Sequence, residues 1–317
     1  MTILGIESSC DDTSVGVVRD GKVLSNIVSS QDHNAFGGVY PEHAARKHLD
    51  AIGMVCEQAL KEARIVLEEV DVVSATYAPG LVGSLLVGYS FGRALSYGLE
   101  KGFFPVHHIK AHIYAAMIEN EIELPALALV VSGGHTSLII LDREHNFKEI
   151  GSTLDDAVGE VYDKVGRMLG LPFPSGKIID DLSQIGNANI DMPFFKSDDY
   201  NFSFSGVKSF VFRYLQANSP KKEDVAASFQ RSVERAIVPK TIKAMKELNL
   251  HNLILAGGVA ANSGLRSAFK KSVKNVYWPS MKLCLDNGAM VAAAAHFMIN
   301  NGKDEGEVRV KPNLSLK

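Results

Sequence analysis

Three of the ten histidines fall within six residues of the stretch PVHHIKAHIYAAM, Pro105 to Met117. Apolar Ile109, Ile113 and Ala116 predict a helix beginning near His108, so His108 and His112, four residues apart, share a face and can converge on one metal ion. His107 points elsewhere. Two imidazoles do not complete a site, because divalent metals take at least one further protein ligand and often keep a position open for water or substrate. Something acidic must join them. The same pair also reads as surface or hydrogen-bonded core histidines. A zinc protease would need His-Glu-x-x-His, and Ile109 stands where that glutamate belongs.

Asp286, in Leu283-Cys-Leu-Asp-Asn-Gly-Ala-Met290, is the best carboxylate near a predicted loop for completing the set. It is equally an expected N-cap for a small-residue helix running to about Ile299. Three turns add to the chemistry. Ser132-Gly133-Gly134-His135-Thr136 joins two strands, where glycines let backbone N–H groups approach a phosphate, though a tight hairpin needs no more. Ala256-Gly257-Gly258-Val259-Ala260-Ala261-Asn262 lies between a buried strand and a helix, a geometry that accepts a nucleotide. It is not G-x-G-x-x-G, and no G-x-x-x-x-G-K-[ST] sequence occurs. In Ser8-Ser9-Cys10-Asp11-Asp12-Thr13 the paired carboxylates would repel a phosphate unless a cation lay between, while Asp and Ser also simply favour turns.

The elements that must position these residues form a repeat. Residues 3–18 read as strand, polar turn, strand, with a third strand at 22–28; residues 127–141 and 147–150 repeat the meander. Helical patterns follow at 42–64 in the first half and at about 157–169 and 223–249 in the second, the last interrupted by Pro239, which should kink it. Buried strands at 70–77 and 252–256 then lead into helices at 82–99 and 260–272. The order βββαβα, given twice, describes two similar α/β lobes with a cleft. Residues 171–205, with Pro172, Pro174 and Pro193, read as an insertion or mobile loop.

The 317 residues suit two domains, and 46% hydrophobic with 22% charged residues is ordinary for globular proteins. No apolar run spans a bilayer and the N-terminus lacks a basic secretory region, so a cytoplasmic home is expected. Cys10, Cys56 and Cys284 are an odd, scattered set that fits a reducing compartment; Cys56 falls in the helical apolar row Leu49, Ile52, Cys56, Leu60, Ala63. A net charge of −3 argues against a strongly electrostatic nucleic-acid footprint, and Lys270, Lys271 and Lys274 read as a solvated helix face.

Two repeated lobes resemble the duplicated actin, sugar kinase and Hsp70-like fold, with a nucleotide cleft between the lobes. The motifs Gly5-Ile-Glu-Ser-Ser-Cys-Asp-Asp-Thr13, Gly37-Gly-Val-Tyr-Pro-Glu42, Pro79-Gly-Leu81, His108-x-x-x-His112, Val131-Ser-Gly-Gly-His-Thr136, Asp163-Lys164, Ala256-Gly-Gly-Val259, Asn262 and Asp286-Asn-Gly-Ala-Met290 resemble those of the TsaD family, in the same order and over nearly the whole chain. The form Phe36 to Glu42 looks bacterial. The domains implied are 1–115 with a C-terminal helix at about 295–317, and 116–294 carrying the insertion at 171–205.

The resemblance implies transfer of a threonylcarbamoyl group from threonylcarbamoyl-AMP to the N6 amine of adenosine 37 in tRNAs reading ANN codons. It implies His108, His112 and Asp286 as ligands of one divalent ion, Fe2+ or Zn2+. Val131, Ser132, Gly133, Gly134 and His135 would line the adenylate pocket with Asp163, Gly176, Asp180, Gly257, Gly258 and Asn262. Its partners would be tRNA, a TsaB-like paralogue, a TsaE-like ATPase and a threonylcarbamoyl-AMP synthase, with no membrane. The chain departs from the family in having Asp12 where Glu is common, and Phe173-Pro-Ser-Gly-Lys177 for a Tyr-Pro-Gly-Gly-Pro-like loop. Chemically, an adenine amine is a poor nucleophile, so its acyl partner must be activated; a metal as Lewis acid, glycine-loop donors on the departing phosphate, and Asp11 as proton acceptor would serve. An ATP-dependent phosphotransferase of the same superfamily is the alternative, though it has no use for the two histidines.

Overall fold

The computed structural model describes residues 1–33, 38–306 and 309–316. Gly37 and the start of the Phe36-to-Glu42 motif lie outside these. The chain divides into two compact units, Met1–Glu121 with Pro279–Lys317, and Ile122–Trp278.

The first unit opens with the meander β1 (Thr2–Glu7), β2 (Asp12–Arg19) and β3 (Lys22–Ser30). Helix α1 (Pro41–Ala63) follows, then β4 (Val72–Ala78), α2 (Val82–Gly98), β5 (Gly102–His107) and α3 (His108–Glu119). The sheet order is β3-β2-β1-β4-β5, antiparallel within the meander and parallel from β1 through β4 to β5. All six residues of β1 are buried, as expected of a central strand covered on both faces. Strand β5 had no place in the sequence reading; it sits at the sheet edge, where Pro105 costs no central ladder bond. Helix α1 starts with proline in its first turn and buries Ile52, Val55, Cys56 and Ala59, but Leu49 is 64% exposed and leaves the predicted row.

The second unit repeats the plan with β6 (Ala126–Val131), β7 (Thr136–Leu141) and β8 (Phe147–Ser152). Four helices come next, α4 (Val158–Met168), α5 (Gly176–Ile185), α6 (Ser205–Ala217) and α7 (Lys222–Glu247), then β9 (Asn252–Ala256), α8 (Ser263–Ser272) and β10 (Asn275–Tyr277). Its sheet order, β10-β9-β6-β7-β8, has the same pattern of pairing. The expected insertion at 171–205 is not all loop, because α5 lies within it and buries Ile179 and Asp180. Helix α7 runs through Pro239, with Val225, Phe229, Val233 and Ile237 in the core.

The chain then returns to the first unit with α9 (Met281–Cys284) and α10 (Gly288–Asn300). Helix α10 packs on β1, β2 and α3, which moves the boundaries from the expected 115 and 295 to 121 and 279. The contact is glycine on glycine. A Cβ on Gly16 would lie 2.3 Å from the Ala289 nitrogen, and one on Gly288 would lie 2.3 Å from the Gly16 nitrogen.

Candidate metal centre and glycine loops

Strand β5 passes into α3 without an intervening loop, so His107 is the N-cap and His108 the first helical residue. The His107 Nδ1 accepts from the Ile109 N–H at 3.3 Å, and its Nε2 faces the Leu314 carbonyl at 3.2 Å. As the spacing predicted, His107 is turned away from the pair.

His108 and His112 stack edge to face with ring centroids 4.6 Å apart, both essentially buried. Asp286 reaches them from the loop before α10. Its Oδ1 lies 3.1 Å from His112 Nε2 and 3.6 Å from His108 Nε2. One ligand atom from each residue falls within 4.8 Å of the others, a set that a slight contraction would bring to metal bonds of about 2.0–2.2 Å. Among the described residues neither ring nitrogen of His112 finds a hydrogen-bond partner, although Nε2 faces the carboxylate. A buried acceptor left unsatisfied is costly, and a cation between Nε2 and Oδ1 would satisfy it. Two imidazoles and a carboxylate are the donor set of a divalent transition ion, so the residues fit a metal.

Asp286 is held in place by its neighbour. Asn287, fully buried, caps α10 by accepting from Met290 N–H at 2.8 Å, and its amide donates to the Leu285 carbonyl at 2.7 Å. Asp286 is therefore not the N-cap, which leaves its carboxylate for the histidines.

Charge around the trio is strongly negative. Burial pushes Asp12 up to about 7, and Asp286, Asp11 and Glu7 add to that push against a hydrogen bond from Ser30. Burial opposes charging His108, yet Asp286 and Glu7 outweigh it and lift the imidazole to about 9 when no cation is present. A metal must therefore displace a proton to bind. The Cys10 thiol is pushed far up by burial and by Asp11, so it is no nucleophile. Asp11 itself neighbours that thiol in the β1–β2 turn.

In the second unit, the Ser132–His135 turn closes with Ser132 N–H donating to the His135 carbonyl at 2.8 Å. Space around Gly133 and Gly134 is open, whereas a Cβ on Gly257 would strike the Val131 oxygen at 2.5 Å and one on Gly159 the Ser132 oxygen at 2.5 Å. The turn is thus wedged between the start of α4 and the Gly257 bend, where φ is +85°, with Gly258 opening a short 3-10 turn after it. Helix α4 also reaches the other predicted residues. Asp163 accepts from the Ser175 N–H at 2.7 Å just before Gly176, and the Tyr162 hydroxyl donates to Gln230. Asn262 caps α8 and exchanges hydrogen bonds with Gln230, while Asp180 accepts from Ser263 N–H and Oγ, both at 2.9 Å.

A family profile described as "TsaD: tRNA N6-adenosine threonylcarbamoyltransferase" matches residues 22–293. The chain belongs to this family. The tRNA N6-adenosine threonylcarbamoyltransferase of Fusobacterium nucleatum is 50% identical over 321 residues, 96% of this chain and 93% of its own length. That of Bacillus subtilis is 45% identical and covers 100% of this chain and 96% of its own. Among solved structures, HypF of T. kodakarensis superposes with a TM-score of 0.65 at 13% identity, covering 95% of this chain and 47% of that one. Component A of the Acidaminococcus fermentans (R)-2-hydroxyglutaryl-CoA dehydratase gives 0.58 at 15%, covering 96% and 100%. At such identities these two speak for the fold alone, a duplicated α/β architecture.

For this TsaD family member the structure joins His108, His112 and Asp286, and gathers the loop glycines, Asp163, Asp180 and Asn262 around α4 and α8. It gives Asn262 and Asp180 structural partners the motif alone did not disclose. Ser175, at a departure from the family loop, fits because position 166 is glycine: a Cβ there would lie 2.1 Å from Ser175 Cβ. Lys177 pairs with Asp181 on α5. Sequence reasoning gave no role to Glu7, Ser9, Thr76, Tyr162, Gln230 or Asn287. For Glu7 the signal was there, an acid closing an apolar strand. No helix among the described residues is long and apolar enough to cross a membrane.

Proposed function

We propose that this protein transfers the threonylcarbamoyl group of threonylcarbamoyl-AMP to the N6 amine of adenosine 37 in tRNAs reading ANN codons, with release of AMP. The match to the acyltransferase family over residues 22–293 carries this reading, and the His-His-Asp trio supports it. A phosphotransferase of the same fold would leave that trio idle.

His108, His112 and Asp286 hold one divalent ion, iron or zinc. When bound, such an ion supplies Lewis acidity to a substrate oxygen. Glycines 133 and 134 leave backbone N–H groups accessible to the phosphate of the adenylate, and stabilise it as AMP departs. Val131, Ser132 and His135 frame that turn, while Gly257 and Gly258 keep the adjoining bend free of side chains. Asp163, Gly176, Asp180 and Asn262 shape the rest of the adenylate site. Asp11 accepts the proton lost by the amine. Docking of tRNA draws on a TsaB-like paralogue and a TsaE-like ATPase, and a separate synthase delivers the adenylate, in the cytoplasm.

The test is mass spectrometry of nucleosides from unmodified tRNA incubated with threonylcarbamoyl-AMP, this protein and its bacterial partners. Threonylcarbamoyladenosine formed by the intact chain and lost in His108→Ala/His112→Ala supports the proposal. Its absence, with the partners active beside another family member, refutes it.

A further inference from the structure

The two histidines of the trio are supported unequally. His112 Nδ1 is buried without a partner, whereas His108 Nδ1 lies 3.0 Å from Glu7 Oε2 and 3.2 Å from Ser9 Oγ. Glu7 is completely buried at the end of β1. Burying a carboxylate there is costly unless its oxygens are occupied. They are: Oε1 accepts from the Ser9 N–H at 2.6 Å, and Oε2 accepts from the Thr76 hydroxyl at 2.6 Å as well as from His108. With both oxygens already placed as acceptors of the Ser9 N–H and the Thr76 hydroxyl, Oε2 also faces His108 as an acceptor, and the proton of that contact sits on His108 Nδ1. The lone pair of the neutral ring is then fixed on Nε2, the atom that faces Asp286.

We propose that Glu7 is the residue that sets metal affinity at this centre, by locking His108 in the Nδ1–H tautomer and rotamer that present Nε2 to the ion. Glu7 is a positioning residue rather than a ligand, since His108 lies between it and the trio's other members. Its negative charge also makes the imidazole a stronger donor. Nothing comparable among the described residues holds His112, so the centre leans on one oriented histidine and one that the ion itself must satisfy. The inference rests on the metal reading above, and the experiment separates the two.

Metal-free full-length protein is titrated with zinc against a chromophoric chelator, for the wild type, Glu7→Gln and Glu7→Ala, with circular dichroism confirming that each is folded. Glutamine nearly matches the shape but lacks the charge, and its affinity should fall roughly 10- to 100-fold, with alanine at or beyond the upper end. Equal affinity in folded Glu7→Gln and wild type overturns the inference and leaves the metal reading standing. Failure of the wild type to take up one equivalent overturns both. A second measurement needs no variant. Long-range proton–nitrogen spectra of the zinc-loaded wild type should show a protonated Nδ1 and a metal-bound Nε2 on His108. Coordination through Nδ1 would overturn the proposal even if the variants do not fold.

Discussion

Gly5 and Gly288 meet backbone to backbone: a Cβ on Gly5 would lie 2.3 Å from the Gly288 carbonyl oxygen. The contact joins the middle of β1 to the first residue of α10. Two residues beyond Gly5 stands Glu7, and two before Gly288 stands Asp286. The second carboxylate and the support of the first histidine are thus referred to a single close approach, reinforced by Ser14 Oγ accepting from Gly288 N–H at 2.8 Å.

Metal should stabilise the fold, because the trio is assembled only in the native state. Zinc at a hundredfold excess over its Kd is expected to add about 2.7 kcal/mol. Differential scanning fluorimetry should show an upward shift in Tm on adding zinc to metal-free wild type, and none for Asp286→Ala or His112→Ala.

Asn287→Ala removes a helix cap and a buried amide that ties down the loop. A loss of about 1–2 kcal/mol in urea unfolding is expected. Zinc affinity should fall as well, because Asp286 is next in the chain. Unchanged affinity would show that the loop is held by other contacts.

Gly166 and Ser175 make a coupled pair. Alanine at an exposed helical glycine ordinarily gains about 1 kcal/mol, but Gly166→Ala drives a methyl group into Ser175 and should cost about 1–3 kcal/mol instead. In a Ser175→Gly background the same change should be neutral or stabilising. A double-mutant cycle by chemical denaturation reads the coupling, and simple additivity would contradict the contact.

Asp156 gives stability a defined acid edge. Burial works against its charge, yet hydrogen bonds from Lys208 and Lys164 prevail and hold the carboxyl below its ordinary value. A depressed folded pKa contributes stability that is present above the unfolded value near 3.9 and lost as pH falls through the folded one. Urea midpoints measured from pH 6 down to 3 should decline toward the acid end. Asp156→Asn should be less stable at pH 6 and show a shallower decline.

The meanders and the central strands were legible in the sequence because a strand buried on both faces writes a continuous apolar run, as in residues 127–131. The edge strands were not. Strand β10 has three half-buried residues and β5 contains a proline, so neither carries a period. Helix α5 was hidden among prolines and polar residues because only two of its ten residues are buried. Leu49 and Leu248 fit helical rows yet end in solvent, since periodicity shows which residues share a face but not where the covering sheet stops. In the site, spacing put His108 and His112 on one helix face, where the structure also has them, but left Asp286 divided between cap and ligand. The structure gives the cap to Asn287, a neighbour whose capping propensity is as strong. Glu7 showed only as an acid closing an apolar strand, because the partners that give it a task, from β4 and α3, meet it only once the chain is folded.

The trio belongs to a unit assembled from the two ends of the chain. On the ribosome, His112 emerges roughly 170 residues before Asp286, a delay of roughly ten to thirty seconds at ordinary rates of synthesis. Throughout that interval the second unit, which is one continuous segment, is free to fold, while the nascent first unit holds two imidazoles and no carboxylate from α10's loop. The order of manufacture therefore brings the three side chains together late, only after Asp286 has been made.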